Sequence, residues 1–285
     1  MFAILLDKPR NITSTHAIES IRKRFKVKAG HTGTLDPLAT GLLIVLVNEA
    51  TRFSDFFLKL SKSYLTLAKL GEIKDTYDDE GSTVEVCKVE VSCEDVNKIL
   101  SKFLGKIEQR PPAFCAKKIK GKRAYRLARK GIALELKPVE VEVFDAELKE
   151  CALPYIKLYF RVSSGTYIRS LVHDIGLALR CGAYLKELRR ISIGNFSVDM
   201  ATKYEDVMRL ESLQDIALPI DKALSFLHPV RLTKGEGKRI RHGMAIDIPL
   251  PYSNVYVRVY EEDRFLGVGC VEDNMLRPYR LLPEL

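Results

Sequence analysis

Residues 42–47 read LLIVLV, an unbroken apolar run, and the stretch before it, GHTGTLDPLATG at 30–41, holds three glycines, one proline and a single carboxylate, Asp36. The run reads as a strand, and a loop of that composition can be drawn tight against it. Pro37 biases Asp36 away from the α region. Gly30, Gly33 and Gly41 accept left-handed angles and close backbone approaches that other residues resist. Two readings of Asp36 stand on local sequence: a turn-starting Asp-Pro pair, or a carboxylate held in place. No GKS or GKT follows and the glycine spacing is not GxGxxG, so the loop is no phosphate cradle.

Around this loop the chain alternates strands and helices. FAILL at 2–6 reads as a strand, and Thr13 and Ser14 are placed to cap a helix over 16–25 with Ile18, Ile21 and Phe25 on one face. Residues 64–70, YLTLAKL, alternate at period two and stop at Gly71; VEVCKVEV at 84–91 is a second such run. Ser92 and Asp95 form a capping-box pattern before a helix that ends at Gly105. VEVEVFDAEL and YIKLYFRV are strand-like, SSGTY leads into an apolar-faced helix over IRSLVHDIGLALR, and Leu185 and Leu188 read as a short helix before the strand ISIGNFSV. From about 229 short strands with Gly, Asp and Asn turns replace helical period, the pattern of a small β-barrel. A boundary near 228 is expected, with the two parts packed directly together.

Lys plus Arg number 46 against 37 Asp plus Glu, a net charge of +9 over 285 residues, which favours a polyanionic partner, nucleic acid before anionic membrane. The excess is concentrated at 117–130, KKIKGKRAYRLARK, where eight cations stand without an acid: Lys117, Lys118, Lys120, Lys122, Arg123, Arg126, Arg129 and Lys130. A solvated helix face is one reading. A phosphate backbone that relieves the mutual repulsion is the other, and the favoured one. The six cysteines show no zinc-ligand spacing and read as scattered reduced thiols of a cytosolic protein. FAILL is too short for a signal-peptide core, and no run approaches the roughly 20 apolar residues that span a bilayer.

Among single residues, Arg169 falls in the first turn of its expected helix, where the macrodipole disfavours a cation, so it calls for an acidic partner, a phosphate or simply water. Tyr64 and Tyr167 fit core aromatics as well as site residues. His31 is equally compatible with a structural role, and His16, His31 and Asp36 are too loosely spaced for a metal site.

Taken in order along the chain, LLDKPRNITS at 5–14, GHTGTLDPLATGLL at 30–43, KSYLTLAKLG at 62–71, DEGS at 79–82, RPPAFCAKKIKGKRAYRLARKG at 110–131, SSGTYIRSLVHDIG at 163–176 and LKELRRISIGNFSV at 185–198 resemble the bacterial tRNA pseudouridine-55 synthases, the TruB family, over essentially the full length. The resemblance implies an α+β pseudouridine synthase fold over 1–228, a mixed, mainly antiparallel sheet with flanking helices. It implies a basic thumb insertion at about 113–137 and a small PUA-like RNA-binding β-barrel over 229–285. It also implies that one uridine in the T-loop of tRNA is flipped out and isomerised, uracil being detached from ribose and rejoined through C5, without cofactor or metal. Asp36 matches the catalytic aspartate that becomes covalently linked, to the ribose or to the uracil ring. Arg169 matches the arginine paired with it. Tyr64 matches the tyrosine that stacks on the target base and is a candidate to move its C5 proton. Tyr167 and Leu188 match residues lining the uracil pocket, Lys8 lies in a KP motif that supports the loop, and His31 matches a histidine that enters the T-loop. The thumb cations would clamp the T-arm phosphates.

Weighed against this is a non-catalytic RNA-binding or tRNA-folding module of the same fold, which has no need of Asp36, Tyr64 and Arg169 together. A metal-dependent nuclease lacks clustered acidic ligands in the sequence. The basic thumb favours a stand-alone cytoplasmic monomer over a synthase working in a guide-RNA complex.

Overall fold

Successive side chains of a strand point to opposite faces, so six apolar residues in a row are all shielded only where both faces are covered. The computed structural model describes residues 1–112, 136–248 and 253–283, with the backbone of two short strands at 118–119 and 122–123. Its large sheet contains β1 (Phe2–Lys8), β2 (Ala29–His31), β3 (Thr40–Val47), β4 (Lys62–Leu70), β5 (Gly105–Gln109), β6 (Val139–Ala152), β7 (Tyr155–Val162) and β8 (Ala183–Ile193). The strand order is β1-β3-β8-β4-β7-β6-β5, with β2 on the other end of β3. On β3, Leu42, Ile44 and Leu46 enter one apolar cluster while Leu43, Val45 and Val47 enter another on the opposite face, which accounts for the unbroken run.

Neighbouring strands of this sheet are antiparallel except where β8 meets β3 and where β1 meets Thr202–Lys203. The sheet is thus mixed and mainly antiparallel, as expected. Helix α1 (Ser14–Phe25) buries Ile18 and Ile21 against Ile4, Leu6 and Leu43. The Thr13 hydroxyl caps it by accepting from the His16 N–H at 2.9 Å. Helices α2 (Cys93–Leu100) and α3 (Ile168–Ala178) pack Val96, Leu100, Leu171, Val172 and Ile175 over Leu158, Phe160 and Leu185. The capping box of Ser92 and Asp95 is present at the start of α2.

Several expectations need correction. Leu185 and Leu188 lie on β8, not on a short helix. A bulge between Leu185 and Glu187 inserts one residue, so the buried leucines fall three apart and imitate a helical spacing. The strand expected over 84–91 is confined to Thr83–Val86, paired with Glu72–Lys74. Beyond it Val89 and Val91 pack onto the core as irregular chain. The thiols are not all reduced: Cys93, at the start of α2, is disulfide-bonded to Cys151 near the end of β6, with Cα atoms 6.0 Å apart. Their 58-residue separation hid a proximity that arises only because α2 folds back on β6. Cys87, Cys181 and Cys270 are free, and Cys115 lies outside the described residues.

The C-terminal part is a curled five-stranded sheet of the PUA-like kind, formed by β9 (His228–Leu232), β10 (Ile246–Asp247), β11 (Val255–Glu261), β12 (Arg264–Glu272) and β13 (Met275–Leu281) in the order β9-β11-β12-β13-β10. It also carries helix α4 (Lys234–Arg241), closed by a capping box of Thr233 and Glu236. Sequence reading missed that helix because two glycines and four cations leave only Gly237 and Ile240 buried. The sheet packs on the larger body through Phe265 on Phe53 and Tyr256 on Phe56, ring centroids 6.1 and 5.2 Å apart.

Candidate active site

The loop that carries Asp36 is gripped from both sides by polar contacts. Lys8, fully buried at the end of β1, donates its ammonium to the carbonyls of Pro9 and Ile12, each at 2.8 Å. That fixes a turn whose Asn11 N–H donates to the Pro37 carbonyl at 2.8 Å. Ser14 Oγ donates to the Leu35 carbonyl at 3.0 Å and accepts from the Leu35 N–H at 2.8 Å. The residues on either side of Asp36 are therefore fixed by the turn at 9–14.

The other grip comes from β8. Arg190, almost wholly buried, donates Nε to the Leu42 carbonyl at 2.7 Å and Nη2 to the Gly33 carbonyl at 3.0 Å, so one side chain spans both ends of the loop. Gly41 has φ +104, and a Cβ there would stand 2.2 Å from the carbonyl oxygen of Arg190. The close approach its sequence position suggested is thus made to the protein's own backbone.

Asp36 projects into a cavity of about 260 Å³ lined by Leu35, Lys62, Tyr64, Tyr167, Arg169 and Leu188 among others. Arg169, second residue of α3, pairs with two carboxylates: an ion-pair contact of Nε with Asp36 Oδ2 at 3.0 Å and a hydrogen bond from Nη1 to Asp78 Oδ2 at 3.1 Å. It also donates Nη1 to the Thr76 carbonyl at 3.2 Å. A cation at a helix start is thereby offset by two anions. Asp36 is 38 % exposed and Asp78 4 %, yet the exposure of Asp36 is onto the cavity, so protein surrounds its carboxyl. Burial pushes the Asp36 carboxyl above its ordinary 3.8, the Arg169 charge pulls it back, and Asp78 pushes it up again.

Tyr64 sits on β4 between Phe160 of β7 and Arg190 of β8, and Leu188 comes from β8. Tyr167 caps α3 and is held by Gln109, whose Oε1 accepts from the Tyr167 N–H at 2.8 Å and whose Nε2 donates to its carbonyl at 3.1 Å. Lys62 donates to the carbonyls of Leu58 and Leu60, each at 2.6 Å, and burial pushes its ammonium down to about 8. Burial does the same to Lys8, also to about 8, with Asp36 opposing.

Of the residues singled out in the sequence, Asp36, Tyr64, Tyr167, Arg169 and Leu188 thus meet around one cavity. Lys8 lies behind the loop. His31 ends β2 opposite Val45, at the base of the loop and not in the cavity lining. The thumb cations Lys117, Lys118, Lys120, Lys122, Arg123, Arg126, Arg129 and Lys130 lie outside the residues whose side chains are described. Sequence reading missed Asp78, Gln109, Ser14, Lys62 and Arg190. Asp78 stood one residue before the DEGS segment; Ser14, Gln109 and Arg190 have partners 21, 58 and 148 residues away, and Lys62, whose partners Leu58 and Leu60 are near neighbours, reads as an ordinary cation at the start of a strand.

An electron-rich carboxylate, a guanidinium that orients it, and an aromatic wall form a site for nucleophilic attack on a flat, neutral ring system or on the carbon that bears it. Comparison with known proteins points the same way. The family model described as "TruB family pseudouridylate synthase (N terminal domain)" matches residues 22–168. Models described as "tRNA pseudouridylate synthase B C-terminal domain" and "Pseudouridine synthase II TruB, C-terminal" match 169–225 and 229–282. The chain is 45% identical over 283 residues to the tRNA pseudouridine synthase B of Aquifex aeolicus (strain VF5), covering 98% of this chain and 99% of that one. It is 39% identical over 290 residues to the protein of the same name from Pasteurella multocida (strain Pm70), covering 98% and 94%. Among solved structures, an H/ACA RNP bound to a substrate RNA containing 2'-deoxyuridine superposes with a TM-score of 0.76 at 24% identity, over 99% of this chain and 85% of that one, a likeness of fold.

Proposed function

The chain belongs to the TruB family of pseudouridylate synthases, and from that premise we propose that it isomerises uridine 55, in the T-loop of tRNA, with Asp36 as the group that bonds to the substrate. It is a tRNA pseudouridine synthase. The observation that carries the assignment of roles is the Asp36–Arg169 pair at 3.0 Å in the wall of a cavity faced by Tyr64, Tyr167 and Leu188.

In the reaction the bond between ribose C1' and uracil N1 breaks, and a bond between C1' and C5 forms. C5 gives up its proton and N1 takes one, so product and substrate have the same atoms. Asp36 attacks through a carboxylate oxygen, and the covalent adduct divides one bond exchange into two easier steps. The same placement serves attack on C1' of the ribose and on the uracil ring. Only the ionised carboxyl is a nucleophile; burial pushes the carboxyl up and Arg169 favours the ionised form in opposition. Tyr64 stacks on the base, Tyr167 and Leu188 line its pocket, and Tyr64 is the candidate to carry the C5 proton.

A stacked T-loop uridine must leave its neighbours to reach this cavity, at a cost of roughly a few kcal/mol. His31, at the base of the same loop, is proposed to fill the space vacated. The cations of about 113–137 are proposed to clamp the T-arm phosphates, which makes affinity fall steeply with salt. We assign 1–228 to catalysis and 229–285 to RNA binding, and propose that the chain works in the cytoplasm as a monomer, without a cofactor and without an obligate protein partner. No helix among the described residues is long and apolar enough to cross a membrane.

The test is incubation of the purified chain with an unmodified T-arm stem-loop, without added metal or cofactor, followed by detection of pseudouridine. Product at the T-loop uridine is expected; its absence sinks the reading.

A further inference from the structure

The loop that brings Asp78 to Arg169 contains a residue in a costly conformation. Tyr77 has φ +62, in the left-handed region that a bulky side chain occupies at an energetic penalty. The residues on either side of it make the contacts to the catalytic pair: the Thr76 carbonyl and the Asp78 carboxylate both accept from Nη1 of Arg169. Tyr77 itself is tied down along its backbone, its N–H donating to the Lys74 carbonyl at 3.1 Å and its carbonyl accepting from the Leu185 N–H at 3.0 Å. Its ring lies flat on the imidazole of His173, centroids 3.9 Å apart and planes 11° from parallel.

His173 stands four residues after Arg169 on α3, one turn further along the same face. Its Nδ1 is buried with no hydrogen-bond partner among the described residues, so this ring is located by packing, and the stack is the directional part of that packing. Burial also pushes the imidazole down, which keeps it neutral and suited to lie against a phenol. The loop and the helix are thus bolted together one turn beyond the point where Arg169 reaches between them.

We propose that Tyr77, through its stack on His173, is a positioning residue for the reaction: it holds Thr76 and Asp78 where they aim the Arg169 guanidinium at Asp36. A glycine would occupy φ +62 without strain, so what a tyrosine adds here it adds through its ring. The penalty is retained because the ring fixes the loop to α3. A shift of an ångström in a guanidinium that orients a nucleophile is enough to slow chemistry without weakening RNA binding.

The proposal rests on the synthase reading, and the experiment separates the two. Pseudouridine formation on the unmodified stem-loop is followed for the full-length wild-type chain, Tyr77→Gly, Tyr77→Phe, His173→Ala and the Tyr77→Gly/His173→Ala double variant, with thermal melting as a check of folding. Tyr77→Gly is expected to melt no lower than wild type by more than the lost stack accounts for, and to lose between about tenfold and 100-fold in kcat at unchanged KM. Tyr77→Phe restores the rate. The double variant is expected to lose no more than the larger single loss, because both changes break one contact. A glycine variant with the wild-type kcat, a loss confined to KM, failure of phenylalanine to restore the rate, or additive losses in the double variant overturns the positioning role while leaving the synthase reading intact. A wild-type chain that makes no pseudouridine overturns both.

Discussion

The loop at 33–41 and the loop at 75–82 each bring one carboxylate to Arg169, and the two carboxylates end in opposite surroundings. Asp78 is 4 % exposed and also accepts from the Thr76 hydroxyl at 2.6 Å and from the Glu80 N–H at 3.2 Å. Asp36 is 38 % exposed onto the cavity and has the guanidinium as its charged partner at 3.0 Å. One guanidinium therefore serves two ends. Asp78, which accepts from three donors, fixes the arginine; Asp36, open to the cavity, is fixed by it. An anion built into a network cannot readily change its bonding, whereas one held by a single edge can.

This contrast predicts that equal substitutions at the two aspartates act on different properties. Asp36→Asn is expected to lower the single-turnover rate by about 10⁴-fold or more, with affinity for the stem-loop within about tenfold, or 1.4 kcal/mol. Its stability should hold or rise. A carboxyl whose pKa in the folded chain lies above its ordinary 3.8 subtracts stability once the pH exceeds that value, and the amide removes the deficit. A comparable loss of affinity would make the loop chiefly a docking element. Asp78→Asn instead removes the buried carboxylate that also accepts from the Thr76 hydroxyl and the Glu80 N–H, and should cost about 3 kcal/mol in chemical denaturation. Its kcat falls less than that of Asp36→Asn. If Asp78→Asn proves as stable as wild type, the anchor role is lost.

A smaller effect sharpens the electrostatics. Because burial raises the Asp36 carboxyl and Arg169 is the first influence pulling it back, the acid limb of the residual single-turnover rate should move to higher pH in Arg169→Gln. A limb that stays in place, or moves down, breaks the coupling inferred from the 3.0 Å contact. The smallest effect on catalysis is expected far from the cavity. Replacing Cys93 and Cys151 by serine opens a closure across 58 residues and should cost about 4 kcal/mol of stability, read as a lower melting temperature, with kcat unchanged.

How much of this was legible in the sequence depends on how local each signal is. The capping box at Ser92 and the alternation over 64–70 are written within a few residues, and the structure has both. Leu185 and Leu188 misled because a bulge changes the period of a strand without changing its residues. Helix α4 was hidden by its polarity, although Thr233 and Glu236 spelled its cap. In the site, Asp36 and Arg169 stood out because a proline, flanking glycines and a cation at a helix start are local oddities. Asp78, Gln109 and Arg190 offered nothing comparable: their partners are 91, 58 and 148 residues away, and only the folded sheet brings them together.

The contact between Gly41 and the backbone of Arg190 has a consequence for descent. The same Arg190 side chain reaches back to the carbonyl of Gly33, so the two ends of the Asp36 loop are fastened to one residue of a neighbouring strand. A side chain gained at 41 displaces the backbone at 190; a shift at 190 releases 33; and a residue inserted between 33 and 41 moves Asp36 itself. Positions 33, 41 and 190 should accordingly be inherited as one character, lost or kept together. New substrates should be acquired by altering Ser163 and Thr166 in the same cavity lining, whereas Gly165 between them, at φ +88, is held to glycine.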